Sequence, residues 1–169
     1  MPAQLNLGFV PLTDSAPLIV AQALGYFRQF ELDVILCPQN SWSTLRDKLQ
    51  TGLLDAAQLL APMPLASSLG LGGMKVQMTV PMVLSQNGNA ISLSRVLCDE
   101  ILSGNELSVL PFPMPSSLLT KIVQKRAAHG QKKLCFPTVF PYSCHQYHLL
   151  DWLKEAGLQN DLYVITIPP

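Results

Sequence analysis

The run Leu5-Asn6-Leu7-Gly8-Phe9-Val10, then Pro11-Leu12-Thr13-Asp14-Ser15-Ala16-Pro17, Leu18 to Leu24, Gly25 and Leu32-Asp33-Val34-Ile35-Leu36 decides the fold. Its opening alternates and then turns wholly apolar, the pattern of a strand buried on both faces. Residues 11–17 form a turn in which Asp14 or Ser15 can cap a helix, with Pro17 tolerated in the first turn. Leu18 to Leu24 continues that helix, and Gly25 supplies its C-terminal stop before a second strand over 32–36. Strand, helix and strand within 5–36 predict a β-α-β unit, with parallel strands and a right-handed crossover.

The theme continues outward from this unit. Ser41 or Ser43 is expected to cap a helix over 44–50 that Gly52 closes, and 53–57 reads as a short third strand. Pro62 opens a helix to Leu69, 75–84 reads as a strand despite Pro81, and Gln86-Asn87-Gly88-Asn89 is a turn. A helix over 96–102 is expected to end at Gly104. Leu110-Pro111-Phe112-Pro113-Met114-Pro115 is an extended linker, because each proline disfavours helix in the residue before it. Beyond it, Ser116 or Ser117 can cap a helix over 118–129, followed by a strand at 134–140. A helix from Pro141 to about 157 and a strand at 162–167 complete a second β-α-β unit. The class is α/β.

Composition bounds the function. Of 169 residues, 49% are hydrophobic and 13% charged, about half the ~25% usual for soluble domains, and the formal net charge is zero. A neutral chain lacks the clustered Lys and Arg that displace counterions from nucleic acid. So apolar a chain also buries enough surface to offset its ordering entropy, which excludes disorder. The low charge points to extensive mutual burial or to missing partner surface. The start, Met1-Pro2-Ala3-Gln4-Leu5-Asn6, lacks the basic and apolar regions of a signal peptide, and no uninterrupted apolar stretch suits a membrane helix. The expected location is therefore cytoplasmic, with no membrane span. A periplasmic or membrane-associated location is the alternative if the start is wrongly placed. Cys37, Cys98, Cys135 and Cys144 form no CxxC pair and read as reduced thiols.

Few residues invite catalysis. No GxSxG elbow occurs, so no Ser/His/Asp nucleophile can be assembled from a signature. Cys144-His145-x-x-His148 could approach three metal ligands, but Cys144 points about 100° from its neighbour and no fourth ligand has motif spacing. Gly70-Leu71-Gly72-Gly73 follows a predicted helix, the wrong context for a phosphate loop. No catalytic residue, metal or cofactor is expected. The strand-to-helix junctions are better equipped for binding, since ligands of open α/β sheets collect where strands end and helix amides point outward. Those junctions carry Thr13-Asp14-Ser15, Ser41-Trp42-Ser43, Gln58 with Pro62, and Pro141-Tyr142-Ser143. Neutral hydroxyls, amides and an indole can hold a small planar anion, although each hydroxyl equally reads as an N-cap. Trp42, beside a helix start and between two serines, is the least at home as plain core.

The residues also carry a family resemblance. Gly8-Phe9-Val10-Pro11-Leu12-Thr13-Asp14-Ser15-Ala16-Pro17, Gly25-Tyr26-Phe27, Ser41-Trp42-Ser43-Thr44-Leu45-Arg46-Asp47 and Leu60-Ala61-Pro62-Met63-Pro64 lie in family order. Gln86-Asn87-Gly88-Asn89-Ala90-Ile91, Phe140-Pro141-Tyr142-Ser143-Cys144-His145 and Asp151-Trp152-Leu153 continue it. Together they resemble the solute-binding components of nitrate/nitrite/bicarbonate ABC transporters and their signal-less cytoplasmic nitrate-sensor relatives.

The resemblance implies a type II periplasmic-binding-protein-like fold, with lobe one mostly present over 1–107 and lobe two, over 108–169, incomplete. It implies non-enzymatic binding of nitrate or nitrite, with lobe closure as the signal and an ABC permease or an antiterminator-type regulatory protein as partner. Trp42 matches the family's pocket tryptophan, and Gln86 its pocket glutamine, beside the turn that holds Gly88. Tyr142 stands near where transporter-type members place a histidine, a departure closer to the sensor-like pattern. Thr13 and Ser143 complete the candidate set by position. The alternatives are a bicarbonate- or other-anion-binding transporter component, a Cys/His enzyme of the pyrimidine-synthesis type resting on Cys144 and His145, and an inactive truncated remnant.

Overall fold

Alternation at Gln4–Phe9 produces the first strand, β1, and the computed structural model sets it between two parallel neighbours. The structure describes residues 4–86 and 88–169; the start at 1–3 and Asn87 of the predicted turn lie outside them. The chain divides into two compact units. One gathers the residues up to Gly88 with Tyr142–Cys144 and Pro168–Pro169, the other Asn89–Pro141 with His145–Ile167.

In the first unit, β1 is followed by a 3-10 turn over Thr13–Ser15 and helices α1 (Ala16–Ala23) and α2 (Tyr26–Gln29). Strand β2 (Asp33–Pro38), helix α3 (Trp42–Gln50), strand β3 (Ala56–Ala57) and helix α4 (Pro62–Leu69) come next. The sheet order is β2-β1-β3, and β1 pairs with β2 in parallel from Gln4↔Asp33 to Phe9↔Pro38. The expected β-α-β unit is therefore present. β3 is shorter than the predicted 53–57, and the Asp55 carboxylate accepts from the Asn6 amide at 2.7 Å where a longer ladder would have placed a carbonyl.

Helix α3 packs on β1 and β3 through Leu45, which is fully buried. Gly8 makes this approach possible: a Cβ there would lie 2.5 Å from Cδ1 of both Leu45 and Leu54. Ser41 caps α3, its Oγ accepting from the Thr44 amide at 3.1 Å. The expected cap of α1 is replaced, because the Ser15 hydroxyl turns back and donates to the Leu12 carbonyl at 2.7 Å. The outer side of this region is apolar. α1 buries none of its residues, and Val20, Leu24 and Phe30 are 49%, 59% and 76% exposed. The low charge content is thus matched by apolar surface on this face.

The strand predicted at 75–84 does not form. Val76 is bonded instead to Ser67 of α4, its amide to the Ser67 carbonyl at 3.1 Å and its carbonyl to the Ser67 hydroxyl at 2.8 Å. Gln50 Nε2 donates to Met74 O and to Ser67 Oγ, both at 2.9 Å. With its polar groups taken up this way, and with Pro81 lacking a donor, the segment runs extended and irregular.

The second unit is built on helices α5 (Arg95–Gly104), α6 (Thr120–Ala128) and α7 (Cys144–Glu155), with strands β4 (Cys135–Thr138) and β5 (Tyr163–Thr166). β4 and β5 are parallel, as the second β-α-β unit requires. Leu97 and Ile101 of α5, Leu119, Ile122, Phe136, Leu149, Leu153, Leu158 and Leu162 form its core. α5 ends at Gly104 as expected, and the Asn105 side chain caps it by donating to the Ile101 carbonyl at 2.9 Å. Neither Ser116 nor Ser117 caps α6; both lie in a 3-10 turn over Ser116–Leu119, and the α-helix starts at Thr120. α7 likewise begins at Cys144, after Pro141, Tyr142 and Ser143. The linker is tied down by Trp152, whose indole donates to the Met114 carbonyl at 2.8 Å while its ring meets Phe136 edge-on.

Candidate functional site

In the first unit the carboxyl ends of β1, β2 and β3 gather polar residues. Gln39 follows β2 and donates its amide to the Phe9 carbonyl at 2.8 Å; Gln58 follows β3 and donates to the Gly8 carbonyl at 2.9 Å. Both glutamines are 6% exposed. Gln39 occupies its side chain locally, Nε2 donating to the Cys37 carbonyl at 3.2 Å. Gln58 Oε1 is sealed from solvent and has no partner among the described residues.

Trp42 is the first residue of α3 and is 2% exposed, and its indole Nε1 is likewise sealed without a partner among the described residues. An indole nitrogen only donates, so this is one N–H awaiting an acceptor at a helix start, where the macrodipole favours negative charge. Four residues along α3, Arg46 is largely buried, and its guanidinium pairs with Asp47 Oδ1 at 2.7 Å. In sequence this cation carries only one local signal, its spacing from Trp42 on one helix face.

The glycine loop after α4 connects α3 to the later chain. Gly73 lies against the guanidinium, since a Cβ there would sit 3.5 Å from Arg46 Cζ. Gly72, at φ +68°, lies against Tyr142, and a Cβ there would run into the edge of the phenol ring. Tyr142 and the fully buried Ser143 belong to this unit, so Gly72 meets a residue 70 positions later in sequence.

Not every candidate is drawn in. Thr13 is exposed in the 3-10 turn after β1, and Gln86 is exposed in the irregular segment. Gly88 is also exposed, at φ +88°, with open space on its side-chain face. His145 belongs to the second unit, and its Nδ1 is sealed without a partner among the described residues. In the same unit the Thr138 hydroxyl donates to Gln146 Oε1 at 2.6 Å. Among the described residues no group of three or more His, Cys, Asp and Glu side chains is placed to hold a metal ion. No helix among them is long and apolar enough to cross a membrane.

The arrangement offers a neutral indole donor at a helix start and an amide oxygen at the carboxyl ends of one sheet. The chain is 47% identical over 169 residues to a nitrate import ATP-binding protein of Synechocystis, covering 98% of this chain and 23% of that protein. It is 36% identical to a bicarbonate transport ATP-binding protein of Synechococcus elongatus, with the same coverage. It is 33% identical to a nitrate/nitrite binding protein of Nostoc, covering 97% of this chain and 36% of that one. The crystal structure of the periplasmic nitrate-binding protein of Synechocystis superposes with a TM-score of 0.82 at 28% identity, covering 99% of this chain and 42% of that one. The fold is thus that of the type II periplasmic-binding proteins, and the chain spans under half the length of each of these relatives. The sequence pattern of the NMT1-like family matches residues 1–169, and the chain belongs to that family.

Proposed function

We propose that this chain takes part in binding a small planar oxyanion, nitrate or nitrite, within a nitrate transport or nitrate-sensing protein. The observation that carries the reading is the sealed, unpartnered indole N–H of Trp42 at the start of α3. Nitrate accepts hydrogen bonds and donates none, so a buried donor at the positive end of a helix suits it. Relatives named for nitrate import and nitrate/nitrite binding support the choice of ion. A second reading, bicarbonate, is supported by the relatives named for bicarbonate transport. The chemistry is binding rather than catalysis, and the complete protein would respond by closing its lobes on the ion, shifting the population that a permease or regulatory partner meets. ATP-binding relatives support a cytoplasmic setting, because ATP is supplied on that side of the membrane.

Calorimetry, with Trp42 fluorescence in a Trp152→Phe background, tests the reading against nitrate, nitrite, bicarbonate and chloride. Saturable binding of nitrate or nitrite below a millimolar is expected. No response to either ion at several millimolar overturns it, and a response to bicarbonate alone selects the second reading.

Tyr142 belongs to this reading through Gly72. Gly72→Ala is expected to displace the phenol ring and to weaken nitrate binding about tenfold, within the range for coupled neighbours. In a Tyr142→Ala background the same change should leave the affinity unaltered, because the ring it displaces is gone. Equal losses in both backgrounds would show that Gly72 acts through its own backbone.

A further inference from the structure

Gln58 is a buried polar side chain at the strand ends that the reading above does not use, and unlike Gln39 it keeps a sealed atom without a partner among the described residues. Its backbone is fixed beside β1 by the bond from its amide to the Gly8 carbonyl at 2.9 Å. Leu45 of α3 lies over the same Gly8. Trp42 starts that helix three residues earlier, about 4.5 Å nearer the carboxyl ends at 1.5 Å of rise per residue. Two sealed polar atoms, the Trp42 N–H and the Gln58 amide oxygen, therefore share the carboxyl end of one sheet.

Proteins rarely leave such atoms without partners, because the solvation lost on burial is not repaid. Any partner of either atom is itself held out of bulk solvent at the contact. A primary amide suits such a site because it carries no charge and offers both senses of hydrogen bond. Its terminal torsion exchanges oxygen for NH2, so it can donate to a bare oxyanion or accept from an acidic O–H.

We infer that Gln58 is a binding residue for the anion, the second hydrogen-bonding side chain beside Trp42. The inference rests on the oxyanion reading of this site. It gives the site one donor of fixed sense and one partner of either sense, so nitrate and hydrogen carbonate can both be completed there.

The test is Gln58→Met, which keeps the length of the side chain and removes its hydrogen bonds, with Gln58→Leu as a second apolar replacement. An amide that holds the fold together loses stability when replaced. An amide kept for a ligand leaves the anion-free protein as stable or more stable. The urea midpoint without anion should therefore hold or rise, while the nitrate dissociation constant rises about tenfold by calorimetry. An unchanged affinity overturns the inference, and so does a lowered midpoint, which marks a structural amide. A wild-type chain that binds no oxyanion overturns the functional reading and this inference with it. A wild-type chain that binds, beside variants that bind equally well, overturns this inference alone.

Discussion

Gly8→Val should be the most damaging single change in the first unit. Its Cβ would fall 2.5 Å from Cδ1 of Leu45 and of Leu54, and those leucines are 0% and 4% exposed. Neither has solvent to move into, so relief requires α3 to rise off the sheet or both side chains to leave their rotamers. Overpacking of that kind costs about 2–3 kcal/mol. The urea midpoint followed by Trp42 fluorescence, in a Trp152→Phe background, should fall accordingly, with Gly8→Ala intermediate. A midpoint within error of the parent would mean that α3 does not pack on β1 through Leu45.

Trp42→Phe should have the largest effect on ligand. It keeps most of the buried ring and removes an indole N–H that has no acceptor among the described residues. The two stability effects oppose each other: a smaller ring loses packing, and the loss of an unsatisfied donor repays part of it. Anion affinity has no such compensation. A hydrogen bond to a charged partner is worth about 1.5–3 kcal/mol, so nitrate binding by calorimetry should weaken roughly 10- to 150-fold. A Trp42→Phe chain that binds nitrate as the parent does would remove the indole from the site.

Much of this is legible in the amino-acid sequence. The β-α-β units could be read because periodicity, Pro17 and Gly25 are local signals that tertiary packing had no reason to override. Trp42 stood out because an indole beside a helix start needs a partner for its nitrogen. The segment after the glycine loop was misread because its bonding partners are side chains of Gln50 and Ser67, and no pattern within 75–84 encodes them. The helix over 96–102 is legible as a helix, but nothing in its stretch tells what it packs on, and Leu97 and Ile101 share a core with Leu119 and Ile122. The meeting of Gly72 with Tyr142 is equally invisible, since each looks ordinary in its own stretch. Arg46 was passed over for the same reason: its contact with Gly73 is made by folding.

The central place of β1 has a consequence for how the chain is made. Within this sheet β1 leaves the ribosome before both of its neighbours, and it is flanked by Asp33 of β2, 29 residues after Gln4, and by Asp55 beside β3, 49 residues after Asn6. Until both have emerged, Gln4–Phe9 is an apolar segment with two unpaired edges, exposed for the seconds that synthesis of the intervening chain takes. Slowing translation between the emergence of residue 9 and that of residue 57 should lengthen that interval and raise the share of chains lost to chaperones or aggregates, whereas the same delay once residue 57 has emerged should not.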